Sequence, residues 1–168
     1  RKRIKNIAEV TIGFGILFVG MEMMKNAMGP LQNNPEFMSL LTKFTNPYLG
    51  LFVGFIMTAI LQSSSATTGL LIAIAAGGGI SLNMAYPIIF GQNIGTCVTA
   101  MLSGIGANKT AKRAAIIHLL FNVFGSAIFL FALRFPVEWL ILKLVPSNVP
   151  QQIATGHILF NVVNVILL

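Results

Sequence analysis

The sequence predicts an all-α integral membrane protein, and three observations carry that prediction. Hydrophobic residues make up 55 % of the 168 residues and charged residues only 9 %, whereas soluble globular domains carry about 25 % charged residues. Mean hydropathy is +0.83, and apolar runs of membrane-crossing length recur along the chain. The net charge of +7 is concentrated in "RKRIK" at 1–5 and "NKTAKR" at 108–113. Both clusters flank apolar segments, where the topology signals of membrane proteins lie.

Composition also argues against several other classes of protein. The 13 Phe residues lie inside apolar runs rather than on a basic face, so we expect no nucleic-acid partner. Cys97 is the single cysteine, which excludes an internal disulfide and offers no metal-thiolate pattern. We therefore expect neither a transition metal nor a cofactor. The first apolar run is too long for a signal peptide, carries Glu9 and Glu22, and lacks an A-x-A cleavage site. We interpret both glutamates as structural.

Four segments are predicted to cross the membrane, and two others to be amphipathic. The crossings are residues 7–24, 83–106, 111–133 and 151–168. Residues 35–45, "PEFMSLLTKFT", are short and amphipathic, so we expect an interfacial helix there. Residues 134–150 form a second amphipathic segment, which contains Trp139. Because the chain opens on Arg1 and stops abruptly within the last crossing, we expect a fragment of a longer chain.

The densest polar cluster, "LQSSSATTGL" at 61–70, interrupts the most apolar region of the chain. As helices, residues 48–61 and 69–82 each reach about 21 Å, against a hydrocarbon core of about 30 Å. Because neither arm crosses alone, we predict a re-entrant helical hairpin over residues 48–82, with its tip at 62–68 near mid-membrane. Irregular backbone at that depth must be buried in protein or line a wet cavity.

A second interruption is predicted within the crossing 83–106. Pro87, Gly91 and Gly95 bracket "GQNIGT", so we expect a broken transmembrane helix. With the hairpin counted as zero crossings, two crossings separate the two basic clusters. The positive-inside rule then places the N-terminal end and the loop 107–113 on the cytoplasmic side of the plasma (inner) membrane. Charge alone leaves open two full crossings in place of the hairpin.

The hairpin tip is the first candidate binding site. Ser and Thr can cap helices or join membrane helices, but a cap needs only one hydroxyl. The start of the second arm favours an anion, because it presents unpaired N–H groups and the positive end of the helix dipole. Since the tip contains no Lys or Arg, a doubly charged anion needs co-bound cations, which favours cation-coupled anion transport. The polar residues of the tip are Gln62, Ser63, Ser64, Ser65, Thr67 and Thr68.

Two further groups of polar residues are weaker candidates. "GQNIGTCVTA" is interpreted either as a Gly-rich helix contact with satisfied polar side chains or as a broken helix facing the tip. A repeated H-x-L-F-N pattern sets His and Asn on one helix face, at 118 and 122 and again at 157 and 161. We interpret His118, Asn122, His157 and Asn161 as packing contacts between helices rather than a proton relay.

Taken together, "QSSSATTG", "GQNIGTCVTA" and "RAAIIHLLFN" resemble the type II sodium/phosphate cotransporter family, over nearly the whole chain from about Ala8 onward. Members of that family resemble an inverted repeat, in which each half carries its own QSSS hairpin. The resemblance implies that residues 1–168 form one half of an inverted-repeat transporter, most similar to the second half of a bacterial member. It also implies a partner: the missing second repeat or a second copy of the chain. The charge bias favours the missing repeat.

The resemblance further implies sodium-coupled symport of inorganic phosphate across the bilayer by alternating access. Gln62, Ser63, Ser64 and Ser65 match the phosphate-binding motif of the family. Gln92 and Cys97 depart from the GANIGTT that is common in the family, which leaves sodium stoichiometry and anion identity open. We expect sodium to be bound by a larger set of hydroxyl and amide groups, namely Ser64, Ser65, Thr67, Thr68, Gln92, Asn93, Thr96 and Thr99.

Alternatives to this function stay open at the level of sequence. They are sodium-coupled transport of another small anion, a passive anion channel, a structural membrane subunit, and an intramembrane serine hydrolase that uses one of Ser63–Ser65 with His118 or His157. The hydrolase is disfavoured because the nucleophile-elbow pattern G-x-S-x-G is absent. We therefore expect a protein that is not an enzyme.

Overall fold

The computed structural model describes residues 2–32, 34–36, 39 and 43–168, most of which are helical. A 3-10 turn at Lys43–Thr45 precedes the second long helix, and a π-helical turn at Phe129–Leu133 joins the fifth to the sixth. No strand occurs in these ranges, so the predicted all-α class is confirmed. In chain order the helices are α1 (Lys2–Gln32), α2 (Pro47–Leu61), α3 (Ser64–Ala76), α4 (Leu82–Gly104), α5 (Lys109–Ile128), α6 (Arg134–Leu144) and α7 (Val149–Leu167).

Within the described residues, two helical segments are long and apolar enough to cross a membrane by length and composition. They are Lys2–Met24, with mean hydropathy 1.7, and Lys109–Leu144, with mean hydropathy 2.2. The second one runs through the π-helical turn, so the predicted amphipathic segment 134–150 begins as a continuation of this helix. Helices α4 and α7 occupy the other two predicted crossings, and their place in the membrane stays a prediction.

Within the predicted interfacial helix at 35–45, residues 37, 38 and 40–42 lie outside the described residues, while residues 35, 36 and 39 are helical. Its last three residues form the 3-10 turn, after which Asn46 starts α2. The Asn46 side-chain oxygen accepts from the N–H groups of Tyr48, at 3.0 Å, and Leu49, at 3.4 Å. Pro47 follows as the first residue of the helix, where its missing N–H costs nothing.

The predicted break at "GQNIGT" is wrong, because α4 is one α-helix through this stretch. Its glycines serve close packing instead. A Cβ added at Gly95 would lie 2.6 Å from the Phe55 carbonyl oxygen, and one at Gly91 would meet the Leu51 carbonyl oxygen. The backbones of α2 and α4 therefore approach closely along a stripe of small residues, as membrane helices often do.

Helix α4 is also the centre of the hydrophobic core. Phe90 packs edge to face on Tyr86, with ring centroids 5.1 Å apart, and stacks on Phe160 of α7 at 5.4 Å. Phe129, in the π-helical turn, closes the group at 4.8 Å from Phe160. These four aromatic side chains are buried, so they hold α4 against both α7 and the turn that follows α5. The helix that faces the predicted tip is therefore fixed on two sides.

Candidate functional site

The predicted tip contains an abrupt change of helix at Gln62 and Ser63. Gln62 ends α2 in the left-handed conformation, with φ 53° and ψ 25°, and its N–H donates to the Thr58 carbonyl at 2.7 Å. That conformation costs a non-glycine residue about 1–2 kcal/mol. Ser63 is extended, and its Oγ accepts from the N–H of Ala66 at 3.2 Å, which caps α3. The chain leaves one helix and starts the next within two residues.

Two buried threonines hold the helices together across this change of direction. The Thr67 hydroxyl donates to the Ser63 carbonyl at 2.6 Å, and the hydroxyls of Thr58 and Thr67 are 2.9 Å apart. Because Thr67 has a single hydroxyl hydrogen, Thr58 is the donor between the two hydroxyls. Both side chains are 0 % exposed. A chain of hydrogen bonds from Thr58 through Thr67 to Ser63 therefore fixes the start of α3 to the end of α2.

A third buried hydrogen bond links the tip to α4. The Thr68 hydroxyl donates to Gln92 Oε1 at 2.9 Å. Gln92 is 0 % exposed, and its Nε2 has no hydrogen-bond partner among the described residues. A buried polar group left without a partner costs about 1–3 kcal/mol. The start of α3 is thus bonded to α2 through Thr67 and to α4 through Thr68.

The remaining polar groups of the tip lie toward the outside of this buried arrangement. Gln62 and Ser65 are exposed, and Ser63 and Ser64 are half-buried. In the described part of the chain, the side chains of Ser64 and Ser65 make no hydrogen bond. Their N–H groups belong to the first turn of α3, where a helix supplies no acceptor. This surface therefore offers several hydrogen-bond donors and the positive end of a helix dipole, which suit an anion.

The second predicted cluster is only partly brought to the tip. Asn93 Nδ2 donates to the Ile89 carbonyl at 2.8 Å, and the Thr96 hydroxyl donates to the Gln92 carbonyl at 3.0 Å. Thr99 is exposed. Among the residues that the structure describes, Gln92 is the member of this cluster that hydrogen-bonds to the tip. In the same residues, no three His, Cys, Asp or Glu side chains are grouped to hold a metal ion.

The two H-x-L-F-N segments repeat one local hydrogen bond. Asn122 Nδ2 donates to the His118 carbonyl at 2.9 Å, and Asn161 Nδ2 donates to the His157 carbonyl at 2.8 Å. Each of these two bonds stays within its own helix, whereas the Asn122 side chain also lies in hydrogen-bonding contact with Cys97 of α4. The His118 carbonyl also accepts from Cys97 Sγ at 3.5 Å, which links α4 to α5.

Sequence reasoning missed Thr58, which supports the site, and Ser126, which joins α5 to α4. Thr58 donates the first of the hydrogen bonds behind the tip. The sequence marks it as the one polar residue of α2 after Tyr48, one turn before Gln62. The Ser126 hydroxyl of α5 donates to the Phe90 carbonyl of α4 at 3.1 Å. No pattern around Ser126 sets it apart from other helical serines, so this contact depends on the fold alone.

Comparison with known proteins identifies a matching family and several relatives. The profile of the Na+/Pi-cotransporter family matches residues 31–144. The chain is 33 % identical to the uncharacterized protein YqeW of Bacillus subtilis (strain 168) over 171 residues, which cover 99 % of this chain and 54 % of YqeW. It is 38 % identical to the human (Homo sapiens) sodium-dependent phosphate transport protein 2C over 96 residues, which cover 54 % of this chain and 16 % of that protein.

A further relative is YjbB of Escherichia coli (strain K12), whose name refers to inorganic phosphate export. It is 30 % identical over 131 residues, which cover 77 % of this chain and 24 % of YjbB. No solved structure matches the chain. The chain spans about half the length of YqeW and less of the other two relatives. Because the family profile covers more than half of the chain, including the tip and "GQNIGT", the predicted family is confirmed: the chain belongs to the Na+/Pi-cotransporter family.

Proposed function

We propose that this chain forms one half of a membrane transporter that moves inorganic phosphate together with sodium by alternating access. One observation carries the proposal most directly. The first turn of α3 carries unpaired N–H groups and the free hydroxyls of Ser64 and Ser65, beside a buried support that is hydrogen-bonded through Thr58, Thr67 and Thr68. Such a surface is rich in hydrogen-bond donors, which is what a phosphate ion requires. Family membership supplies the substrate class.

Phosphate binds, in this proposal, at Gln62 and Ser63–Ser65. The negative charge of phosphate is offset by sodium, because the tip carries no basic residue. Sodium is bound by oxygen atoms, and a threonine hydroxyl that donates one hydrogen bond keeps its lone pairs for a cation. Thr96 fits this description, since it donates to the Gln92 carbonyl. Thr67 donates to the Ser63 carbonyl and accepts from Thr58, so it keeps one lone pair for a cation. Thr68, Asn93 and Thr99 complete the proposed set with Ser64 and Ser65.

The same proposal makes α2 and α3 a re-entrant hairpin with its tip near mid-membrane. Helix α2 has 15 residues and α3 has 13, which gives lengths of about 22 Å and about 20 Å. Both are shorter than a hydrocarbon core of about 30 Å. The complementary wall of the site comes from a second repeat, which is consistent with the 54 % of YqeW that the chain spans. The protein then lies in the plasma membrane with loop 107–113 in the cytoplasm.

Transport by the full-length protein in proteoliposomes tests this function. We expect uptake of radiolabelled phosphate that needs a sodium gradient and that falls at least tenfold, about 1.4 kcal/mol, with Ser64→Ala. Ser103→Ala is the matched control, because Ser103 is an exposed serine in the last turn of α4, and it should leave uptake unchanged. Sodium-independent uptake would contradict coupling. Transport of a different anion without phosphate would contradict the substrate, and passive flux without any gradient of sodium would indicate a channel.

A further inference from the structure

Gln92 occupies an unusual place in the proposed site. It is fully buried in α4, yet it hydrogen-bonds to Thr68 of the tip helix α3. Its Nε2 has no partner within the described residues. If Gln92 served packing alone, an apolar side chain of similar size would fill the same space without leaving a polar group unpaired. The amide at this buried position therefore points to a role connected with the tip.

The inventory of donors and acceptors limits what that role is. A sodium ion needs oxygen ligands. The side-chain oxygen of Gln92 accepts from Thr68, and its backbone carbonyl accepts from Thr96 in addition to its place in the helix. With the Gln92 amide oriented so that its Oε1 accepts from Thr68, the group left unpaired is the N–H2, which attracts an acceptor or an anion and repels a cation. The arrangement therefore does not favour Gln92 as a sodium ligand.

The support beneath Gln92 is closely packed. Gly91, its neighbour in α4, lies against the Leu51 carbonyl of α2, and the helix continues into the aromatic core at Phe90. Thr68 lies one turn after Ser64, on the same face of α3. A displacement of Thr68 therefore also displaces Ser64, whose hydroxyl and N–H belong to the proposed phosphate surface. Among the described residues, the hydrogen bond from Thr68 to Gln92 links the side chains of the first turns of α3 to α4.

We propose that Gln92 is a positioning residue that tunes phosphate affinity. Its oxygen holds Thr68, and through it the first turns of α3, in register with α4. Its N–H2 group adds positive partial charge beside the start of α3, where it reinforces the helix dipole in favouring an anion. This inference rests on the proposed function of the tip as the phosphate site, and it replaces the expectation that Gln92 binds sodium.

Transport kinetics of the full-length protein separate this role from the alternatives. We expect Gln92→Leu to raise the half-saturating phosphate concentration about tenfold, with a smaller change in maximal rate and no change in the half-saturating sodium concentration. Gln92→Glu keeps an oxygen for Thr68 but replaces the donor with a negative charge, so it should also weaken phosphate. Ser126→Ala is the structural control: it removes a buried hydrogen bond to α4 and should lower stability without changing either half-saturation.

Two kinetic outcomes would overturn the inference. A rise in half-saturating sodium alone would make Gln92 a sodium ligand, and no change in either constant would reduce it to packing. A second measurement does not depend on transport. In a Cys97→Ala background, Ser64→Cys should react several-fold faster with a thiol reagent when Gln92→Leu is added, because α3 is released from α4. If wild-type protein carries no phosphate, the proposed function fails, while an unchanged thiol reaction rate contradicts the positioning role itself.

Discussion

The guanidinium of Arg134 donates a hydrogen bond of 3.2 Å to the backbone carbonyl of Asn83, the carbonyl that Pro87 leaves without its helical donor. In an α-helix the N–H of a residue bonds the carbonyl four positions earlier, and proline has no N–H. The same nitrogen of Arg134 also donates to Asn83 Oδ1. Arg134, from α6, therefore replaces the missing donor, and this contact explains why α4 continues through its proline.

This relationship predicts a coupling between Arg134 and Pro87. We expect Arg134→Met to lower stability by about 1–3 kcal/mol, because a hydrogen bond from a charged donor is lost. In a Pro87→Ala background the cost should be clearly smaller, since alanine restores the N–H for the Asn83 carbonyl. Thermal unfolding of the four combinations in detergent gives the coupling energy. Lys143→Met, a change of another basic residue of α6, is the control. Equal costs in both backgrounds would refute the replacement of the donor by Arg134.

The same contact shows why the sequence alone suggested a broken helix. Proline and glycine around "GQNIGT" are ordinary signs of interruption, and the donor that rescues the helix lies 51 residues away in the chain. The meaning of Gly91 likewise depends on its partner, the Leu51 carbonyl, which no local pattern reveals. The end of α2 at Leu61 and the start of α3 at Ser64 were more predictable, because a polar cluster with capping residues interrupts an apolar run there.

The candidate site was predictable in its residues and less so in their roles. The hydroxyl groups at the tip stand out in the sequence, but which of them faces inward depends on the packing of α3. Thr67 and Thr68 are buried and bonded to neighbouring helices, whereas Ser65 is exposed. The hydroxyl residues at the start of α3 are spread around its circumference. The positions of α2 and α4 then decide which side of α3 is buried.

Close packing of α2 on α4 predicts a strong effect of a single methyl group. Gly91→Ala places a Cβ against the Leu51 carbonyl oxygen, and the backbone on both sides leaves it no room. Overpacking of this kind costs about 1–3 kcal/mol or more. We expect a lower unfolding temperature in detergent and reduced yield of folded protein. Gly13→Ala is the matched control, because nothing lies within 4 Å of the added Cβ; alanine there should be neutral or stabilising by about 0.5–1 kcal/mol. Equal stability of the two variants would contradict the close approach.

The serine hydrolase alternative predicts covalent labelling that we do not expect. Ser63 Oγ is used as a helix cap, and within the described residues no histidine side chain hydrogen-bonds to Ser63, Ser64 or Ser65. An unactivated serine hydroxyl is a weak nucleophile. A serine-reactive fluorophosphonate should leave the full-length protein unlabelled, while a serine hydrolase added to the same sample is labelled. Labelling that disappears with Ser64→Ala would revive the enzyme interpretation.

The left-handed conformation of Gln62 predicts that Gln62→Gly raises stability while it lowers transport. Gln62→Gly removes the cost of a positive φ, so we expect stability to rise by up to about 1 kcal/mol. Gln62→Val should lower stability instead, because a β-branched residue adopts φ 53° poorly. If the Gln62 side chain binds phosphate as proposed, both variants should lower sodium-dependent phosphate uptake. Thermal unfolding and uptake, measured on the same preparations, test both effects. A glycine variant that is more stable and still transports normally would remove Gln62 from the binding site and leave it only as the residue that ends α2.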